Sequence, residues 1–179
     1  MEDFPEIADH GMIGDLQSIA LVSTDGAIDW FCAPRFDSPS VFASLLDRER
    51  GGFFRIKAVG ADVRVKQMYF PDTAVLITRF MSDDGVGEVI DFMPVADDPT
   101  VATTNRVIAR GVRVVRGELT FRIECRPRFD YGRAEHTATV TGHGVRFETA
   151  DTHAALHGLR PESLDGDDVD ETITMAAGE

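Results

Sequence analysis

Four aspartates stand among aromatic or apolar neighbours: Asp29, Asp37, Asp91 and Asp130. Paired carboxylates are what glycosidic-bond hydrolysis requires. One protonates the leaving oxygen and the other activates water, roughly 6.5–9.5 Å apart in an inverting enzyme. Sugar recognition adds an aromatic platform beside charged hydrogen-bonding groups. Trp30, Arg35, Phe36 and Asp37 supply those types within eight residues, and Ser38 follows. The tetrapeptide Pro34-Arg35-Phe36-Asp37 recurs as Pro127-Arg128-Phe129-Asp130, each copy behind an apolar run that carries a cysteine. If both runs are strands leaving a sheet at the same end, Arg128, Phe129 and Asp130 join the same rim. The competing reading is that these aspartates cap turns or pair with Arg35 and Arg128, and that the lone tryptophan packs in a core.

Other chemistries find little support. His10, His136, His143, His153 and His157 make no His-Glu-x-x-His pair, and no Cys-x-x-Cys occurs, so no metal site is expected. Asp165-Gly166-Asp167-Asp168 lacks the alternating ligands of a calcium loop. No Gly-x-Ser-x-Gly or phosphate-binding glycine loop is present, and no cofactor is expected. A balance of 18 basic against 31 acidic residues gives a net charge of −13. That opposes nucleic acid, whose affinity rests on basic patches, and anionic membrane surfaces. Cys32 and Cys125 are too far apart in sequence for a disulfide framework and read as buried free thiols. With no Lys or Arg and no long apolar run from Met1 to Ala20, no secretory leader is expected. A cytoplasmic setting follows as an expectation.

The elements that position these residues read mainly as short strands. Ile19–Val22 and Ala27–Cys32 flank Asp25-Gly26, a strong hairpin signal. Pro34 ends the second strand. Ser38-Pro39 then resembles a helix start, and Val41, Phe42, Leu45 and Leu46 recur at helical spacing up to Gly51-Gly52. One short helix over 39–50 is therefore predicted. Strands follow at 53–56, 63–69, 74–81 and 86–92, then at 104–115 and 118–126, joined at Arg116-Gly117. Two more, 137–141 and 145–149, flank Gly142-His143-Gly144, and a last one covers 171–175. Leu119, Phe121, Ile123 and Cys125 alternate with Glu118, Thr120, Arg122 and Glu124, a period of two with one wet face. The class predicted is an antiparallel β-sandwich of the supersandwich type, in one domain over 1–179. A strand ending the chain without a partner gives the expectation that the domain is cut from a longer protein.

The run Gly26-Ala-Ile-Asp-Trp-Phe-Cys-Ala-Pro-Arg-Phe-Asp-Ser-Pro-Ser-Val-Phe42 resembles the N-terminal domain of prokaryotic glycoside hydrolase family 15 proteins, the glucoamylase, glucodextranase and trehalase group. The segments Ile7–Gly14, Tyr69–Leu76, Asp91–Pro94 and Arg126–Gly132 agree in order, and the trehalase-like branch is the nearest in pattern. The resemblance implies a β-sandwich followed by a linker and an (α/α)₆ barrel. The two catalytic glutamates of the inverting mechanism belong to that barrel, which nothing in this chain matches. No catalytic residue is carried over, and the chain alone is expected to be inactive. Asp29, Trp30, Arg35, Phe36, Asp37 and Ser38 become interface or sugar-rim candidates, with Arg128, Phe129 and Asp130 secondary. The catalytic barrel is the expected partner. A free-standing binding module for α-glucoside sugars, and a scaffold that self-associates into a homo-oligomer through exposed sheet edges, are the alternatives.

Overall fold

A computed structural model describes residues 5–95 and 106–179 of the chain. Its strands are β1 (His10–Gly14), β2 (Ile19–Ser23), β3 (Ala27–Cys32), β4 (Ser40–Phe42), β5 (Phe53–Val59), β6 (Arg64–Tyr69), β7 (Leu76–Met81), β8 (Gly85–Phe92), β9 (Ala109–Arg126), β10 (Thr137–Thr141), β11 (Gly144–Glu148), β12 (His153–His157) and β13 (Val169–Ala176). Every pairing between them is antiparallel. The mainly antiparallel β class predicted from the alternating pattern is what the chain adopts. A three-residue turn, Ile7–Asp9, precedes β1.

The main sheet runs β1-β2-β3-β5-β9-β8-β7-β6, with β13 also on β9 and β4 also on β3. It folds over on itself along β9, whose 18 residues serve both layers. Residues 109–117 pair with β8, and residues 118–126 pair with β5 and β13. The predicted break at Arg116-Gly117 is a bend within one strand and not a turn between two. Gly117 takes a φ of +73°, and a Cβ there would stand 1.9 Å from the Asp84 carbonyl oxygen, so only glycine fits. Residues 104 and 105 of the predicted strand lie outside the described residues.

The folded sheet nearly closes. Tyr69 Oη, on β6, donates to the Met12 carbonyl and accepts from the Met12 N–H, both at 2.8 Å. Gln67 Nε2 reaches the Val22 carbonyl at 3.3 Å and Thr78 Oγ1 at 3.1 Å. Two side chains of the last strand in the order thereby meet the first two strands.

One part of the core, between β5, β7, β8 and β9, holds Ile56, Phe80, Val89, Val114 and Phe121, with the rings of Phe80 and Phe121 edge to face at 6.2 Å. The other holds Ile13, Ala20, Val22, Ile28, Phe31, Phe42 and Leu76, and reaches Phe147 of the separate sheet β10-β11-β12. Cys32 and Cys125 are both free and buried. Arg110 ties the layers together. It pairs with Asp91 at 2.8 Å while donating to the carbonyls of Phe54 and Gly26, and the two side chains are 2% and 0% exposed.

The helix predicted over 39–50 does not form. Ser40–Phe42 pair with β3 as β4, and turns follow to Arg50. The Ala43 and Ser44 amides donate to the Gly51 and Gly52 carbonyls at 2.7 and 3.0 Å. Phe42 packs between Phe31 and Phe54, each ring 6.4 Å away. Val41 and Phe42, which fit the helical spacing, also serve a β-branched, aromatic strand, Leu45 and Leu46 fall in the turn beyond it, and the long-range partner decides.

Candidate functional site

β3 and β9 are each antiparallel to β5, which lies between them, so they run in the same direction and leave the sheet at the same end. Their exits are the two Pro-Arg-Phe-Asp copies. Residues 33–39 lead from β3 into β4, and residues 127–132 follow β9. The two meet through β4: the Arg128 amide donates to the Val41 carbonyl at 2.9 Å, and the Tyr131 amide to Ser40 Oγ at 3.1 Å.

The copies differ in use. In the first, Phe36 is 65% exposed and Arg35 meets Asp37 at 3.1 Å on the surface, a pair worth at most about 1 kcal/mol. Ser38 Oγ accepts from the Arg35 amide at 3.1 Å, so Ser38 closes this loop and caps no helix. In the second, Phe129 is buried against His136, ring centres 5.6 Å apart. Arg128 is held by both oxygens of Asp168 at 2.6 and 2.7 Å, and Asp130 pairs with Arg133 at 2.8 Å. Arg128 and Phe129 therefore brace the turn, and Asp130 lies on its surface.

The turn Phe129–Gly132 is left-handed. Asp130, Tyr131 and Gly132 take φ of 51°, 57° and 75°. For two successive side-chain-bearing residues this costs about 1–2 kcal/mol each. It carries Tyr131 out, 42% exposed, with its ring centre 6.5 Å from that of Trp30 and the Arg133 guanidinium 5.6 Å above it.

Asp29 occupies the extra position of a bulge, since Leu21 pairs with Trp30 and Val22 with Ile28. Its Oδ2 lies 2.7 Å from His10 Nε2, with both side chains buried, and its Oδ1 has no partner. His10 Nδ1 donates to the Glu6 carbonyl at 2.9 Å. Burial pulls the imidazole down, but the Asp29 carboxylate outweighs it and holds His10 above its ordinary value. Burial also pushes the Asp29 carboxyl up, against the pull of His10. Nothing in the sequence links positions 10 and 29.

A further contact joins the β1–β2 turn to the rim. Arg106 donates to the Pro34 carbonyl and to Gln17 Oε1, and approaches Asp15 at 3.5 Å. Leu16, with a φ of 71° and 90% exposure, and Phe36 both project here, since the Phe36 amide bonds the Gln17 carbonyl at 3.2 Å. Sequence reasoning missed His10, Arg106, Leu16 and Tyr131. Only Tyr131 had a local signal, as the residue directly after the second copy.

A family model described as trehalase-like, N-terminal, matches residues 2–161. The chain belongs to this family. Members with curated names include the trehalase of Mycolicibacterium smegmatis, 34% identical over 152 residues, which span 78% of this chain and 23% of that protein. The trehalase of Thermoplasma volcanium is 34% identical over 154 residues, covering 83% and 24%. Trehalase 1 of Sulfolobus acidocaldarius is 35% identical over 137 residues, covering 76% and 22%. The chain thus matches about a quarter of the length of these relatives. No solved structure matches it. The trehalase-like N-terminal match ends before β13, yet that strand pairs with β9 from Val169↔Cys125 to Ala176↔Glu118.

Proposed function

We propose that this trehalase-like N-terminal domain is the non-catalytic part of an inverting α-glycosidase, packing on and supporting a catalytic barrel. The observation that carries the reading is the state of the four candidate acids. Asp29 is spent on His10, Asp37 on Arg35, Asp91 on Arg110 and Asp130 on Arg133. The length of the named relatives supports it, because about three-quarters of each lies outside the match. In this reading Arg35, Phe36 and Asp37 face the sugar-site rim of the barrel, Ser38 closes their loop, and Asp29 is bonded behind the rim to His10.

Complementation tests it. The Mycolicibacterium smegmatis relative without its matched segment should gain thermal stability and trehalose hydrolysis when this chain is supplied, and the chain alone should hydrolyse neither trehalose nor maltose. Hydrolysis by the chain alone overturns the reading. A sugar-binding module is the second reading, favoured by the partly exposed Trp30–Tyr131 pair. Calorimetric heat with trehalose or maltotriose, lost in Trp30→Ala, would support it instead.

A further inference from the structure

The outer face of β1, β2 and β3 carries a strip of uncharged side chains that ends at one arginine. Met12 lies opposite Leu21 in the β1–β2 register, and Leu21 lies opposite Trp30 in the β2–β3 register. Directly paired residues project to the same face, so these three side chains form one row. Tyr131 continues it at 6.5 Å from Trp30, and Arg133 closes it over the Tyr131 ring. Met12 is 53% and Tyr131 42% exposed, and Leu21 and Trp30 are half-buried.

We infer that this strip is the docking face for the remainder of a trehalase-length chain, with Tyr131 as its anchor. The inference rests on the proposed packing of this domain on a catalytic partner, and it assigns the contact surface. Three observations carry it. The row Met12, Leu21, Trp30 and Tyr131 is uncharged in a chain with 31 acids, Arg133 at its end is paired with Asp130, and Met, Trp, Tyr and Arg are the types enriched where proteins meet. Tyr131 is held by a left-handed turn whose amide bonds Ser40 Oγ and by a side-chain hydrogen bond with Cys32, which together fix its 42%-exposed ring beside Trp30. The named relatives carry about three-quarters of their length beyond the match, so a partner is attached at high effective concentration. A second copy of this chain fits less well, because two surfaces of net charge −13 repel.

The chain has one tryptophan, and it lies in the strip. Grown with 5-fluorotryptophan, the 179-residue chain should give a single ¹⁹F resonance. It is titrated with the unlabelled Mycolicibacterium smegmatis trehalase lacking its matched segment, and sedimentation follows complex formation in parallel. Where that truncated protein precipitates, ligating the labelled chain to it in one polypeptide gives the same readout. The expected result is a complex with a shifted resonance. Tyr131→Asn should weaken the complex about tenfold or more, because asparagine keeps the left-handed backbone while the ring and its hydrogen bond with Cys32 are lost. Val140→Asn, on β10, should leave affinity unchanged. A complex that leaves the resonance unmoved, or binds Tyr131→Asn equally well, overturns the docking strip and leaves the packing role standing. Absence of any complex in either format overturns both.

Discussion

Replacing Asp91 by asparagine strands the Arg110 guanidinium in the interior without its counter-charge. Breaking a buried pair from one side costs about 3–5 kcal/mol, and here both partners are almost fully hidden. Urea unfolding of Asp91→Asn should show a loss in that range, and much of it should return in a double variant that also replaces Arg110 by methionine. His10 and Asp29 make a pH-dependent contribution. Both folded-state values are raised, so each contribution is present at low pH and is lost as pH rises through the folded value. For His10 that loss falls above its ordinary 6.5. Denaturant midpoints should therefore fall as pH rises above 6.5, and His10→Gln should flatten the decline. An unchanged slope in His10→Gln would show that the pair does not set it. At this scale the sequence was partly legible. It singled out Asp29, Asp91 and Asp130 as unusual acids, but their basic partners stand 19, 19 and 3 residues away, and only the last lies within local reach.

Local hairpins were the legible elements. Asp25-Gly26 and Gly142-His143 both turn between paired strands, because turn chemistry and alternation are written in consecutive residues. What failed needed a distant partner. β4 reads as helix until β3 is placed beside it, and β1 has no period of its own until β2 gives it one face to bury. β9 reads as two strands because Gly117 looks like a turn, yet it continues across both layers. Gly117→Ala should destabilise the domain by more than 1 kcal/mol, since a Cβ meets the Asp84 carbonyl and the backbone is left-handed. Thermal unfolding reads this directly, and a shift in melting temperature under one degree would count against the bend as described.

Taken whole, the domain is acidic, and arginine–carboxylate pairs brace neighbouring strands of its main sheet. Glu88 on β8 is fully buried between Arg79 and Arg113. Burial pushes its carboxyl up, but the two guanidinium groups outweigh that and hold it below the usual range. Asp170 on β13 is lowered too, chiefly by its hydrogen bond from Arg122 on β9. Depressed carboxylates contribute above their unfolded values and lose that contribution as pH falls through the folded ones. The contribution of these carboxylates should hold at neutral pH and drop steeply below about pH 4. Glu88→Gln should unfold more easily at pH 7 and show a shallower acid slope when followed by circular dichroism. The two buried cysteines carry a practical consequence of the fold. Burial pushes the Cys125 thiol up to about 12 and raises Cys32 as well. Their reactive thiolate form is scarce at neutral pH, so maleimide reagents will find no native handle on the folded domain. A cysteine placed at Val140 or Phe36 would then be the single point of attachment for a fluorophore or a surface tether.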